Sequence, residues 1–488
     1  MLSQDNILYL RAVLTSIHGL DPESFLVGGI IRDALMGRAR EADVDVAVKS
    51  DGYRIAHAIA EAGPGRTFVP LDRQHGTGRL VVKEPYAATI DISSFKGLDI
   101  IQDLRKRDFT INALAVRIED YLVTGLSHIL DPTGGVADLN SRVVRACSAE
   151  AFHDDPLRIL RTFRFQARLG FEVAQQTLEL ISKTVPDLQR VAGERIRDEL
   201  ISILSSDRAY PALLGMDGHG VLDVLFPELV PLRWTEQNVY HHLDVWGHTL
   251  ETVRQLELLL ADHAAYFEEF AAQVDSYVRQ EHVKERPVRA LLKLAALFHD
   301  AGKPSCMSRD PDGRIRFFGH EKVSREIFEA VGERLKLATR EVRTIAEWIG
   351  GHMRLMISEG ETLSKRALLR LRRKFESDAV GLMVLFLADL AASRGPARTD
   401  EAFDHAFKQV SLALEFLLES SQAVAPALLN GTDLMRILGI CPGPLVGRLL
   451  ARLRELQDAG EIVTREQAAT AARQLFQQVG NGDASGPD

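Results

Sequence analysis

The sequence predicts a multidomain α+β protein with an N-terminal mixed-sheet head followed by all-α domains. Three observations carry this. Between residues 25 and 146, short apolar runs and period-two alternation are interleaved with helical stretches. From residue 147 onward the apolar spacing becomes almost wholly helical. Turn signals rich in Pro and Gly then divide the 488-residue chain into segments of domain size.

Residues 1–24 read as a leading amphipathic helix closed by a turn at Asp21-Pro22. Phe25–Val27 is a short apolar strand, interrupted by Gly28 and Gly29. Ile30–Met36 reads as a helix that Gly37 is placed to end. Val44, Val46 and Val48 alternate with Asp43, Asp45 and Ala47, so a strand here turns both carboxylates to one face and the valines to the other. Ile55–Ala62 is a helix, and Arg79–Lys83 and Ala88–Ile92 are strands. Asp91 lies between Ile90 and Ile92 and faces away from them. The stretch FTINALA, residues 109–115, reads as a helix for which Asp108 is a natural N-cap. These elements make a head over residues 1–146. Residues 147–235 form a helical neck with turn signals at Pro211, Gly215 and Pro227. A third helical block spans 236–394. Gly395-Pro396 opens a helical tail over 395–488, whose last residues, GNGDASGPD, are small and polar and are expected to be disordered. No solenoid-type repeat is evident.

Composition sets bounds. No apolar run approaches the ~20 residues of a membrane span, and the N-terminus lacks the basic-then-apolar pattern of a signal peptide. Cys147, Cys306 and Cys441 are scattered and odd in number, which excludes a disulfide framework and a zinc spacing and fits a reducing cytoplasm. The net charge of −9 requires any nucleic-acid binding to rest on locally concentrated Lys and Arg.

The run FLVGGIIRDALMGRAREADVDVAV is the richest in chemistry. Asp43 and Asp45 on one face repel each other unless a divalent cation sits between them, and Mg²⁺ takes such hard oxygen ligands while leaving room for phosphate oxygens. Gly28 and Gly29 let the backbone approach a triphosphate, and Arg32 neutralises it. The alternative is a polar strand edge beside a tight turn. Asp91 is either a third carboxylate for a two-metal site or a solvated strand residue. Arg107, in KRDFT, can grip a triphosphate bidentately. In HDDPLRILRTFRF, Asp155 and Pro156 look like a helix start, while Asp155, Arg158, Arg161 and Arg164 recur every three residues along one face. A carboxylate accepts from the amino group of cytosine or adenine, and a guanidinium donates to the neighbouring ring nitrogen. Uracil and guanine present the reverse order, so such a pair is a protein template for C and A. Capping and templating are compatible, since a carboxylate has spare lone pairs.

GGIIRD followed by DVD, DLRKRDFTINALA and HDDPLRILRTFRF together resemble the tRNA nucleotidyltransferase and bacterial poly(A) polymerase family of the template-independent, class II CCA-adding type. The resemblance implies nucleotidyl transfer from CTP, with or without ATP, to a tRNA 3′ end. It implies that Asp43, Asp45 and Asp91 are catalytic, the first two as Mg²⁺ ligands. It implies that Gly28, Gly29, Arg32 and Arg107 hold the nucleotide, that Asp155 and Arg158 template the base, and that Arg161 and Arg164 lie near the phosphates or base. Asp154 departs from the family's usual Glu. Ser93–Lys106 is shorter than the loop of full CCA-adding members, and in the family such shortening accompanies addition of CC alone.

His248, the pair His299-Asp300, and Asp389 resemble the ligands of HD metal-dependent phosphohydrolases, and His320 and His352 match where binuclear members add ligands. An adjacent His-Asp pair can place imidazole and carboxylate on one transition-metal ion. A degenerate HD fold that scaffolds tRNA is the alternative. Ser364–Phe375, the densest basic stretch, reads either as a track for RNA phosphates or as a solvated helix face. The Gly/Pro turn before LVGRLLARL reads as a phosphate contact or a packing turn. Three rival functions stand beside this reading: a poly(A) polymerase or A-adding enzyme of the same family, an HD phosphohydrolase whose head only binds RNA, and a non-enzymatic RNA-binding protein, the last two disfavoured by the intact Asp43, Asp45 and Arg107.

Overall fold

The structure is a computed structural model that describes residues 4–38, 43–82, 88–238, 240–284, 286–355, 363–393, 400–419, 426–458 and 460–482. It divides into two compact units, Met1–Pro227 and Glu228–Asp488.

The first unit is built on a six-stranded sheet: β1 Ser24–Val27, β2 Asp43–Val48, β3 Arg66–Asp72, β4 Thr77–Val82, β5 Ala88–Ser94 and β6 Ala115–Arg117, in spatial order β3-β4-β5-β2-β1-β6. Only β2 and β5 run parallel, and their register sets Asp45 opposite Asp91 and Asp43 opposite Thr89. Val44, Val46, Val48, Ile90 and Ile92 are buried on the opposite face, as period-two alternation requires. Helices Gln4–Leu20, Gly29–Leu35 and Gly52–Glu61 fall where sequence periodicity placed them, and Gly37 follows the second with φ +67. Lys83 lies outside the described residues.

Two elements differ from expectation. β3 was not predicted, because RTFVPLD holds Pro70 and lacks clean alternation. FTINALA is not a helix: Thr110–Asn112 forms a single 3₁₀ turn and Ala115–Arg117 pairs with β1 as the sheet edge. Every residue from Phe109 to Val116 is buried, so no solvent face exists to impose a helical period. Asp108 therefore caps no helix; its Oδ1 accepts from the Phe109 amide at 2.8 Å and from Asn112 Nδ2 at 3.1 Å. Beyond Ala151 the unit is helical, apart from the two-residue strand Glu172–Val173, which pairs with Val143–Val144.

In the second unit, helices Val245–Ala261, Val288–Phe298, His320–Arg334, Thr339–Gly351 and Ala379–Ala392 surround a dense apolar core that includes Trp348, Phe298 and Phe328. The basic helix Lys365–Phe375 is neither a bare phosphate track nor fully solvated. Leu368, Leu371 and Phe375 are buried, while Arg366, Arg370 and Arg373 pair with Glu461, Glu455 and Asp458. The tail helices Gly431–Leu438, Pro444–Asp458 and Arg465–Gly482 share a core of Leu434, Val446, Leu449, Ala468 and Ala472. The last helix runs into the first three residues of the segment expected to be disordered. Residues 483–488 and the Gly395-Pro396 break lie outside the described residues. No helix among the described residues is long and apolar enough to cross a membrane.

Candidate functional site

In the first unit, the in-register neighbours Val27, Asp45 and Asp91 run across three strands, with Asp43 two residues from Asp45 on the same face. Asp45 keeps a solvent-accessible edge but is crowded by protein atoms. That loss of hydration raises its pKa, Arg107 opposes the rise, and Asp91 and Asp43 add to it. The Thr89 hydroxyl donates to Asp43. Arg79, opposite Asp91 in the β4–β5 register, holds both of its oxygens, Nε to Oδ1 at 2.7 Å and Nη2 to Oδ2 at 2.8 Å. Sequence reasoning missed Arg79. Only the antiparallel register reveals it, although its strand was foreseen.

The glycine pair sits against this face. Gly28 has φ +75, and a Cβ there would lie 3.3 Å from both Asp45 Oδ2 and Arg107 Nη1. Any side chain would thus be strained and would fill the space between carboxylate and guanidinium. Arg107 is steadied by Asp103, its Nε 3.1 Å from Oδ2. Arg32 donates Nη1 to Asn112 Oδ1 at 2.7 Å and lies 5.1 Å from the Phe165 ring centre. Arg161 pairs with the buried Asp108 at 2.5 Å, and Arg164 with Glu199 at 3.1 Å. Burial alone would raise Asp108, but Arg161, Asn112 and the Phe109 amide outweigh it and hold the carboxyl below its ordinary value. Cys147, half-buried nearby, has its thiol pushed up to about 12, chiefly by loss of hydration.

The two template candidates are both engaged. Asp155 Oδ1 accepts from the Leu157 amide at 3.2 Å and Oδ2 meets Arg195 Nη2 at 3.1 Å. Arg158 is buried and donates to the Ala151 carbonyl at 3.2 Å and the Lys106 carbonyl at 3.1 Å. Two of its five N–H groups are thereby used, and a carboxylate such as that of Asp155 offers about four acceptor sites. Arg195 was not foreseen, since it lies 40 residues from Asp155.

The second unit holds a separate cluster. Its residues come from five elements: His248 on Val245–Ala261, His299 and Asp300 just after Val288–Phe298, His320 at the start of His320–Arg334, His352 just after Thr339–Gly351, and Asp389 on Ala379–Ala392. Two candidate ligand groups result, His248/His299/Asp389 and Asp300/His320/His352. Asp300 faces both, with Oδ2 3.2 Å from His299 Nε2 and Oδ1 3.2 Å from His320 Nε2. His299, His320 and His352 each donate Nδ1–H to a main-chain carbonyl, of Ala296, Phe317 and Ile349, at 2.8, 2.7 and 2.6 Å. This turns the Nε2 lone pairs inward, where His248 and His299 approach to 3.3 Å, as do His320 and His352. Converging lone pairs beside carboxylates fit divalent cations, and the carbonyl bonds are the outer contacts that orient imidazole ligands. Burial presses His352 down to about 4; at His299 burial also acts downward, but Asp300 and Asp389 prevail and carry it to about 10, so a cation taking its Nε2 must displace a proton. Lys303, not foreseen, puts its buried Nζ 2.6 Å from Asp300 Oδ2 and 3.2 Å from Gln237 Oε1.

Comparison with known proteins matches three segments of the chain. Residues 24–145 match the poly A polymerase head domain, 170–232 the probable RNA and SrmB-binding site of polymerase A, and 245–391 the HD domain. The chain is 35% identical to the A-adding tRNA nucleotidyltransferase of Deinococcus radiodurans, over 92% of this chain and 94% of that one. It is 34% identical to the CC-adding tRNA nucleotidyltransferase of Geobacter sulfurreducens, over 91% and 90%. The Thermotoga maritima CCA-adding enzyme complexed with tRNA shares the fold, with a TM-score of 0.59 and 21% identity over 97% of this chain and 96% of that one. Likeness at this level along nearly the whole length, with head, RNA-binding and HD segments all matched in order, means that the chain belongs to the tRNA nucleotidyltransferase family.

Proposed function

We propose that this chain transfers cytidylyl groups from CTP to the 3′ end of tRNA and stops after CC. The observation that carries the transfer is the placement of Asp43, Asp45 and Asp91 on one face of adjacent strands, with Arg107 against Asp45 across the Gly28 gap. The RNA 3′-hydroxyl attacks the α-phosphorus of CTP, its proton leaves to solvent, and the bond to pyrophosphate breaks. Mg²⁺ held by Asp43 and Asp45, with Asp91 as third carboxylate, would activate the hydroxyl and neutralise the leaving group. Arg79 orients Asp91, the Gly28-Gly29 backbone admits the triphosphate, and Arg32 and Arg107 bind it. Asp155 and Arg158 select cytosine by its amino group and ring nitrogen, with Arg161 and Arg164 close by.

Termination after CC rests on the link between β5 and helix Ile100–Arg105, which is only residues 95–99. It is tied down: Phe95 N donates to the Val48 carbonyl at 2.9 Å and Lys96 N to Asp103 Oδ1 at 2.9 Å. Switching from C to A requires the template to readjust, and a short pinned link supplies no lever for that. Full CCA addition and A addition are the rival products.

The second unit we assign as a metal-dependent phosphohydrolase, on the strength of the inward-turned Nε2 atoms and the Asp300 carboxylate facing both ligand groups. Divalent transition-metal ions held there would activate water against a phosphate ester. Lys303 positions Asp300. A localisation in the cytoplasm fits the cysteine usage and a tRNA substrate.

The test is incubation of tRNA lacking its 3′ triplet with each nucleoside triphosphate separately. Incorporation from CTP alone supports the reading. Incorporation from ATP alone would assign the poly(A) reading, A transfer onto tRNA ending in CC but not onto this substrate would assign the A-adding reading, and no incorporation on either substrate would leave the head as an RNA-binding platform.

A further inference from the structure

A pocket of about 440 Å³ in the first unit lies apart from the carboxylates, and three arginines border it. Arg38 follows helix Gly29–Leu35, Arg142 follows helix Gly135–Asn140, and Arg208 precedes helix Ala209–Gly218. Among the described residues no Asp or Glu lines the pocket, and none of the three guanidiniums has a carboxylate partner. This contrasts, in a chain of net charge −9, with Arg32, Arg107, Arg161 and Arg164, each of which pairs with a carboxylate.

Two backbone features bear on two of the arginines, Arg142 and Arg208. Arg142 has φ +56, a left-handed conformation that glycine normally takes after a helix end. Gly170 has φ +70, and a Cβ there would lie 2.2 Å from Arg208 Nη1, so the missing side chain makes room for the guanidinium. The pocket also sits at the far ends of the two helices that serve the nucleotide. Helix Gly29–Leu35 begins at the glycine pair and ends at the pocket, about 10 Å on. Helix Arg158–Leu169 begins at the template and ends at the pocket, about 18 Å on.

We propose that Arg38, Arg142 and Arg208 form a phosphate-binding subsite that holds the RNA backbone several nucleotides upstream of the reacting 3′ end. Guanidinium forks suit phosphodiester oxygens, and three without carboxylate partners supply the local positive charge that an acidic chain otherwise lacks. The partly exposed Leu35 and the buried Leu139 and Phe171 give the pocket an apolar floor against which a ribose can rest. Such a subsite fixes the register of the acceptor strand while its end is extended. This rests on the transferase reading above.

The experiment measures tRNA binding by fluorescence anisotropy across a salt series for wild type, the triple variant R38Q/R142Q/R208Q, and Arg142→Gly. The expected result is that the triple variant binds tRNA at least ~10-fold more weakly, with a salt slope shallower by roughly 0.7–0.9 for each phosphate left without its arginine. Arg142→Gly should melt at a higher temperature, because glycine relieves the strained φ, and yet bind tRNA more weakly. The arginines also lie near helix C-termini, where cations offset the helix dipole. If that is their whole role, the variants lose stability with unchanged tRNA affinity and slope, and the proposal falls. It falls equally if inorganic phosphate protects wild type but not the triple variant from thermal unfolding while tRNA affinity is unchanged, since the pocket then serves a free anion. Failure of wild type to bind tRNA or incorporate CTP would strike the transferase reading instead.

Discussion

At the scale of single residues, the head site is a set of charges that compensate one another. Asp108 is buried, and its carboxyl lies below its ordinary value because Arg161, Asn112 and the Phe109 amide overcome the burial. A group whose folded pKa is below its unfolded one adds stability above the unfolded value, about 4, and loses it as pH falls through the folded value. Asp108→Ala should therefore cost about 2–3 kcal/mol at pH 7, less than for a fully enclosed pair because Arg161 is partly solvated, and the penalty should shrink below pH 4. Urea denaturation at pH 7 and pH 3 checks both. A pH-independent penalty would mean that the ion pair is not its source. Asp155 carries a different expectation. Its carboxylate serves the Leu157 amide and Arg195 and keeps spare lone pairs for a base amino group. Asp155→Ala should lower the preference for CTP over UTP by about 1–3 kcal/mol while total incorporation falls less. Unchanged UTP misincorporation would reduce Asp155 to a structural contact in the turn before helix Arg158–Leu169.

At the scale of elements, the strands bearing carboxylates were legible because valine alternation and a buried face leave one arrangement. What was not legible depended on partners distant in sequence. Arg79 meets Asp91 only through the β4–β5 register, and Arg195 meets Asp155 only through helix packing. FTINALA has a helical composition, yet β1 needs an edge partner and recruits Ala115–Arg117. The five ligand-bearing elements of the HD cluster were recognisable one by one from sequence, while the double-facing Asp300 and the Lys303 contact needed coordinates. The pinned link at residues 95–99 yields the prediction at this scale. With CTP and ATP together on tRNA lacking its triplet, the product should be two nucleotides longer, and tRNA ending in CC should accept no A. Gel resolution of product length decides it, and efficient A addition on either substrate would show that another segment readjusts the template.

At the scale of the whole molecule, the transferase carboxylates and the HD ligands belong to different compact units and share no residue. His299→Ala or Asp300→Ala should abolish transition-metal binding and any phosphatase or cyclic phosphodiesterase activity, and leave nucleotide transfer largely intact. Metal content by elemental analysis, read beside both activities, checks this; a folded variant that loses nucleotide transfer would show the units to be coupled. The central claim is that Asp43, Asp45 and Asp91 carry nucleotidyl transfer. Its most direct test is the rate of labelled CMP incorporation into tRNA lacking its triplet, wild type against Asp45→Ala, with folding verified by thermal melting. Loss of a ligand worth several kcal/mol in the transition state predicts a fall on the order of a thousandfold with the melting temperature little changed. Near-normal incorporation by the folded variant would contradict the account.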